Sequence, residues 1–288
     1  MITTVSSAAK TVAISPDGPT IIIGERIYPT GRKKLGEALL AGNMEIVRAD
    51  ALAQVAAGAQ ILDVNVGYPG VDEPLAIVEA VKAVTEAVDV PICLDSANPE
   101  VMEAALGIYT GKIILSSVTA EPPKMEAILP LVKRHGAAVV AMCMDEEGIP
   151  NDSDARLAIA RRIVEAAEAM GIPREDIIVD CACMAVATEP FAALVTLETI
   201  RKVRAELGCN ITLGASNVSF GFPDRRVLNS AFLPLAISAG MNCPIVDPTV
   251  PEVQRAIQAA DVLLNKDEFG MNYIRTFRAR QAAEATKG

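Results

Sequence analysis

A (β/α)8 TIM barrel of the α/β class is predicted for this chain, and three observations carry the prediction. Eight short apolar runs, rich in β-branched residues, recur along the 288 residues. The stretches between them have helical length and periodicity. The hydrophobic share is 51%, enough to fill one large core in a chain of this length. Short continuous apolar runs alternating with helix-length segments indicate parallel strands joined by crossover helices.

In chain order, residues 1–18 are expected to form a strand or loop that covers the barrel bottom. The strand runs follow at 20–24 (TIIIG), 61–66 (ILDVNV), 91–94 (PICL), 112–115 (KIIL), 137–142 (AAVVAM), 176–179 (DIIV), 211–214 (ITLG) and 243–246 (CPIV). Asn98-Pro99 supplies an N-cap followed by proline at the first helical position. Residues 122–135 place Met125, Ile128, Leu129 and Val132 on one face, with Gly136 as the stop. Residues 154–170 repeat that pattern before Gly171, and 251–264 make the eighth helix. Residues 267–288 read as an extra C-terminal helix. No internal repeat, low-complexity segment or linker interrupts the pattern, so 1–288 is expected to be a single domain.

Composition narrows the function. No run of about 20 uncharged apolar residues is present, so no membrane span is expected. The first residues lack the basic start and solid apolar block of a secretion signal, and a cytoplasmic location is expected. The net charge is −10 and no Lys/Arg cluster stands out, which argues against a nucleic-acid partner. The six cysteines contain no CxxC pair; Cys181 and Cys183 form a C-x-C that reads as two wall thiols and, alternatively, as metal ligands. The single histidine, His135, ends a helical stretch on the face opposite the strand C-termini, so a Ser-His-Asp triad or a His-rich zinc site is not expected.

The far ends of the strands carry the chemistry. They offer Glu25-Arg26, Asp63 and Asn65, Asp95-Ser96, Ser116-Ser117, Asp145, Asp180, Ser216-Asn217 and Asp247. In a barrel these ends meet at one mouth, where active sites are built. Any one of them also suits a helix cap or turn. Together they make an anionic, amide-rich ring. Phosphate is disfavoured there, because it needs cations or a glycine-rich helix start. A sugar held by paired carboxylates is possible. A heterocycle with adjacent N–H donors, such as a pterin, fits well.

The motifs GERIYPTG (24–31), LDVNVG (62–67), CLDSAN (93–98), TAE (119–121), MDEEGIPNDSDARL (144–157), VDC (179–181), GASNVSFGFPDRRVLN (214–229) and AFL (231–233) resemble the pterin-binding methyltransferase family. That family includes methyltetrahydrofolate:corrinoid protein methyltransferases, the tetrahydrofolate methyltransferases of demethylase systems and the folate-binding part of cobalamin-dependent methionine synthase. The resemblance implies a dihydropteroate-synthase-like barrel. The synthase itself ranks low, because its phosphate-handling Arg-x-His pair is replaced here by IVDP (245–248).

By resemblance, Asp95 and Asp180 hold the pyrimidine edge of the pterin. Asn217 reaches N5, the atom that carries the methyl group, and Asn217 and Asp180 carry the catalysis. Ser116 stands where the family often has an asparagine, and its shorter hydroxyl leaves room for a water. Asp63, Asn65 and Gly67 form the second-strand wall, and Ser219 and Arg225 lie near the glutamyl-benzoate tail. The implied reaction moves a methyl group between tetrahydrofolate (as 5-methyltetrahydrofolate) and a corrinoid (cobalamin). The chain has no Asp-x-His-x-x-Gly motif, so the corrinoid belongs to a partner protein, whose docking implies movement of residues 29–34 and 220–226. The resemblance also implies a homodimer. Two alternatives stand beside this reading: a zinc-dependent methyltransferase acting on a methylated amine or ether through Cys181 and Cys183, and a non-catalytic pterin-binding module.

Overall fold

A computed structural model describes residues 1–285. Residues 286–288 of the expected C-terminal helix lie outside the described residues.

The chain opens with an antiparallel hairpin, β1 (Thr3–Ser6) and β2 (Thr11–Ile14), in which Thr3 faces Ile14. Eight parallel strands follow: β3 (Ile23–Ile27), β4 (Ile61–Val64), β5 (Ile92–Asp95), β6 (Ile114–Val118), β7 (Ala138–Met142), β8 (Ile177–Asp180), β9 (Asn210–Thr212) and β10 (Ile245–Val246). They pair in sequence order, and β10 returns to β3. A parallel bridge between Gly214 and Ile245 closes the ring, with the Ile245 amide donating to the Leu213 carbonyl at 2.8 Å.

The helices surround this ring: α1 (Lys33–Leu40), α2 (Glu45–Ala56), α3 (Glu73–Ala87), α4 (Pro99–Leu106), α5 (Pro122–His135), α6 (Ser153–Ala169), α7 (Ala192–Glu206), α8 (Arg225–Ala239), α9 (Pro251–Leu263) and α10 (Met271–Ala285). Their ends follow local chemistry. Asp72, Asn98 and Asp152 cap α3, α4 and α6 through their side-chain oxygens. Helix α5 starts on proline and stops at Gly136, whose φ of 61° suits a residue without a Cβ. Lys133, Arg134 and His135 occupy its last turn, where positive charge faces the negative end of the helix dipole.

Every strand boundary set differs from expectation by one to three residues, and three of the shifts bear on the site. The first barrel strand begins at Ile23 rather than residue 20, because the Thr20 backbone and hydroxyl are taken by the Asp261 carboxylate (3.0 and 2.6 Å). Glu25 and Arg26 therefore sit inside the strand. The last strand shrinks to Ile245–Val246, since Pro244 has no N–H to give the ladder. β9 runs from Asn210 to Thr212 instead of over 211–214.

Side chains alternate across each strand, so the barrel has two apolar compartments. One lies between sheet and helices. The other fills the lower lumen with Ile23, Ile61, Cys93, Ile114, Ala138, Val140, Ile178, Cys243 and Ile245, and the hairpin inserts Val5, Val12 and Ile14 beneath them. The hairpin is clipped to the barrel by the Ser6 amide donating to Lys112 O and by the Tyr109 hydroxyl donating to Ser6 O, both at 2.9 Å. Gly111 makes this approach possible: its φ is 127°, and a Cβ there would stand 2.2 Å from the Ser6 carbonyl oxygen. Gly111→Ala is expected to cost roughly 3 kcal/mol or more, combining backbone strain with a backbone clash. Chemical denaturation checks this; an unchanged midpoint would show that the clip is not needed.

Candidate functional site

The site follows from counting up the strands. Residues two positions above an inward-facing residue also face inward. Ile23 thus puts Glu25 in the lumen, Ile61 puts Asp63 and Asn65 there, and Cys93 does the same for Asp95. Ile114, Ile178 and Ile245 do so for Ser116, Asp180 and Asp247. The register agrees, pairing Glu25 with Asp63 and Asp95 with Ser116. A ring of carboxyls therefore stands directly on an apolar floor. Register shifts between Glu25 and Ile27 and between Ser116 and Val118 lie within this layer, where bulges commonly re-aim side chains.

Burial and mutual repulsion shape these acids. Loss of water, followed by the charges of Asp95 and Asp247, pushes Glu25 up to about 7, against a smaller opposing pull from Arg225. Asp63 is pushed well up by burial, then by Asp95 and Glu25. Burial also raises Asp95, and it raises Asp180 to about 6. One oxygen of Asp63, Oδ1, is buried with no hydrogen-bond partner. Such an orphan is costly unless a ligand satisfies it.

Most other members are held. Asn65 accepts from the Gly67 amide at 2.7 Å and donates from Nδ2 to Asp95 Oδ2 at 2.9 Å, which fixes its amide orientation. A Cβ on Gly67 would crowd Asn65 Oδ1 at 3.2 Å. The Ala182 amide donates to Asp180 Oδ1 at 2.8 Å, which requires Ala182 to adopt φ 56°. Arg156, fully buried, holds that turn: Nη1 donates to the Cys181 and Ala182 carbonyls (3.1 and 2.7 Å), and Nε donates to Pro150 O at 2.7 Å. The Thr196 hydroxyl adds a bond to Ala182 O at 3.0 Å.

Asn217 lies on a single 3-10 turn, Ala215–Ser219, that follows β9. It is exposed, and its Nδ2 lies 3.0 Å from where a Cβ of Gly214 would stand, so the absence of a side chain at 214 lets the amide lie against the rim. A cavity of about 390 Å³ opens here, with Glu25, Tyr28, Arg32, Asn217, Arg225 and Asp247 in its wall. Arg225 lies 5.6 Å from the Phe220 ring centre and is anchored by Nε to Ser219 Oγ (3.0 Å) and Nη2 to Ser216 O (2.8 Å). Ser219 is fully buried, with its hydroxyl engaged by Ser216 O and Arg225. It stands beneath the wall and fixes Arg225 rather than lining the cavity.

The ring thus brings together Asp63, Asn65, Asp95, Ser116 and Asp180, with Asn217 and Arg225 on the adjoining rim. Reasoning from sequence missed three contributors. Glu25 was visible as a strand-end acid but received no role; the alternation Ile21-Ile23-Glu25 was the signal. Arg156 falls on the stripe of α6 that also carries Ala160, Ile163 and Ala167, so a cation on an apolar face was legible. The network in which Arg26 bridges Asp50 and Asp247 (3.4 and 2.8 Å), and Arg32 meets Asp50 at 2.6 Å, left no sequence signal. All six cysteines are free and buried, and burial pushes the Cys181 and Cys183 thiols up. Among the described residues, no group of three or more His, Cys, Asp and Glu is arranged to hold a metal.

Comparison with known proteins agrees with this geometry. The pterin binding enzyme family is matched over residues 24–247. A methylcorrinoid:tetrahydrofolate methyltransferase of Eubacterium limosum is 33% identical over 266 residues, covering 90% of this chain and 96% of the relative. A methionine synthase of Mycobacterium tuberculosis is 30% identical over 282 residues, covering 91% of this chain; the chain spans only 24% of that longer relative. Among solved structures, dihydropteroate synthases of Xanthomonas albilineans (TM-score 0.64, 20% identity, 90% of this chain and 98% of the other) and Thermus thermophilus (TM-score 0.65, 20% identity, 90% and 99%) share the fold.

Arg156→Ala would leave the Cys181 and Pro150 carbonyls without their guanidinium donor and Ala182 O with Thr196 alone. A loss of roughly 3 kcal/mol is expected, with the Asp180 turn released. Denaturation of the variant measures the first, and hydrogen exchange of the Ala182 amide the second. Unchanged protection of that amide would show that the turn holds itself.

Proposed function

Because the chain belongs to the pterin binding enzyme family, we propose that it is a methyltransferase moving a methyl group between N5 of tetrahydrofolate and the cobalt of a corrinoid carried by a separate protein. One observation carries this reading at the level of the site. Asp95 and Asp180 stand two residues above Cys93 and Ile178 of the apolar lumen floor, so strand alternation turns both inward, and Asn217 follows β9, next to the strand of Asp180.

The residues present suit a reduced pterin. Its pyrimidine edge offers N–H groups, and Asp95 and Asp180 accept them as charge-assisted hydrogen bonds. Each already has one protein donor and retains capacity for a ligand. Asp63 and Ser116 supply the neighbouring wall, with Asn65 and Gly67 fixing Asp95. Arg225, steadied by Ser219, faces the tail. Asn217 lies at N5, where its amide donates or accepts as that nitrogen changes state. The corrinoid, on its own protein, supplies the cobalt that carries the methyl group. Exposed Phe220 and Phe222 beside the mouth suit an apolar macrocycle arriving from outside.

Two further features belong to the same proposal. The chain forms a homodimer through the apolar surface near its C-terminal helices, where Leu263, Phe269 and Met271 are 83%, 86% and 64% exposed. It works in the cytoplasm, where six free thiols persist; no helix among the described residues is long and apolar enough to cross a membrane.

Methylcobalamin mixed with tetrahydrofolate and this protein under anoxic conditions is expected to yield the cobalt(I) spectrum. Asn217→Ala should slow that reaction by about 100-fold, as loss of a transition-state hydrogen bond does, while changing tetrahydrofolate affinity far less. Equal losses in both would remove Asn217 from N5. Sedimentation should give a dimer that Leu263→Glu with Phe269→Glu converts to monomer; a monomeric wild type at micromolar concentration refutes the interface.

A further inference from the structure

Methylation of N5 has a consequence for protons. As the N5–C bond forms, the Co–C bond breaks and leaves its electron pair on cobalt, and the N5–H bond must then break. One proton has to be received at the mouth, and in the reverse direction one has to be supplied.

Four of the acids there are committed or sealed. Asp95 is bonded by Asn65, and Asp180 by the Ala182 amide. Asp247 accepts from Arg26 on one oxygen (2.8 Å) and from the Thr249 amide and hydroxyl on the other (2.9 and 2.6 Å). Asp63 is 3% exposed, and burial pushes its titration well up. Glu25 differs from all of them. It faces inward beside Asp63, its carboxylate accepts none of the side-chain hydrogen bonds found among the described residues, and it lines the same cavity as Asn217. It also lines a second cavity of about 270 Å³ that opens between Asn229, Arg226 and Val250, so it borders two routes to solvent.

We propose that Glu25 is the catalytic acid–base of this site: its carboxylate takes the proton from N5 as the methyl group arrives, and returns it in the opposite direction. This role rests on the methyl-transfer reading above. The groups facing Glu25 are Asp63 from β4, Asp95 from β5, Asp247 after β10 and Arg225 from α8, with Arg26 on its own strand turned to Asp50 and Asp247. Asp95 and Asp247 oppose its ionisation and Arg225 favours it. The net effect, led by burial, places its titration near 7, where a group both accepts and releases a proton readily.

The test uses Glu25→Gln, which keeps size and hydrogen bonding but cannot take a proton. In wild type, the rate of N5 methylation should rise with pH through about 7, as the carboxylate form appears. In E25Q that limb should vanish and the rate should fall about 100-fold or more, with tetrahydrofolate affinity within about threefold. Glu25→Asp should restore part of the rate and the pH limb. Independently of activity, the folate-free wild type should show a carboxyl infrared band titrating near pH 7 that E25Q lacks. An unaltered rate or pH limb in E25Q, or an unchanged infrared titration, overturns the role. A wild type that binds tetrahydrofolate and exchanges no methyl overturns the functional reading, and this role with it; a wild type that exchanges methyl equally well as E25Q overturns this role alone.

Discussion

The architecture depends on the cost of holding unpaired negative charge above a dry lumen. Ile23, Ile61, Ile114, Ile178 and Ile245 exclude water from below, and the next inward position on each of their strands is polar. A carboxylate placed there loses hydration and meets other carboxylates, so it ionises only when donors are supplied. The protein supplies some through Asn65, the Ala182 amide and Arg26, and leaves others, notably at Asp63, unsupplied. The deficit has a shape: a flat group with several N–H donors completes it, and an anion worsens it.

Holding that deficit open requires rigidity outside the ring. Arg156 ties the turn after β8 to the loop at Pro150 through three carbonyls, the Thr196 hydroxyl and the Met184 sulfur, none of them a carboxylate. The positive φ of Ala182 costs on the order of 1–3 kcal/mol, and those bonds offset it. The result is an amide aimed at Asp180. The Asn65–Gly67 turn does the same for Asp95, and the missing Cβ at Gly214 does it for Asn217. Asp180, Asp95 and Asn217 are thus each positioned by backbone geometry one step removed, which holds their side chains in place without using up their polar atoms.

These two layers differ in how far the sequence exposes them. The eight strands were legible because buried parallel strands are continuous apolar runs, and the caps at Asn98 and Gly136 announced their helices. The polar strand ends were legible as a set, because barrel topology forces them to one rim. Boundaries were not: whether Thr20 joins the first strand depends on Asp261, 241 residues away. That displacement moved Glu25 from the end of the strand to its middle, where it faces the lumen. Ser219 was expected with Arg225 by its motif, and the two are joined by a hydrogen bond that the motif does not announce. Local chemistry is written in adjacent residues, whereas a network such as Arg26–Asp50–Arg32 joins residues that only the closed barrel brings together.

The same electrostatics links folding to ligand. Asp180 titrates near 6 in the folded chain and near 3.8 when exposed, so the folded state binds its proton more tightly. Its contribution favours the native state below about pH 4 and is lost as pH rises through about 6. The difference amounts to on the order of 3 kcal/mol for a fully buried group. At neutral pH the empty barrel therefore carries ionised or strained carboxyls that work against its own stability. A pterin edge that donates to Asp95 and Asp180 lowers both titrations and removes the penalty. Binding of a donor-rich edge would then draw on the free energy held in those buried carboxyls.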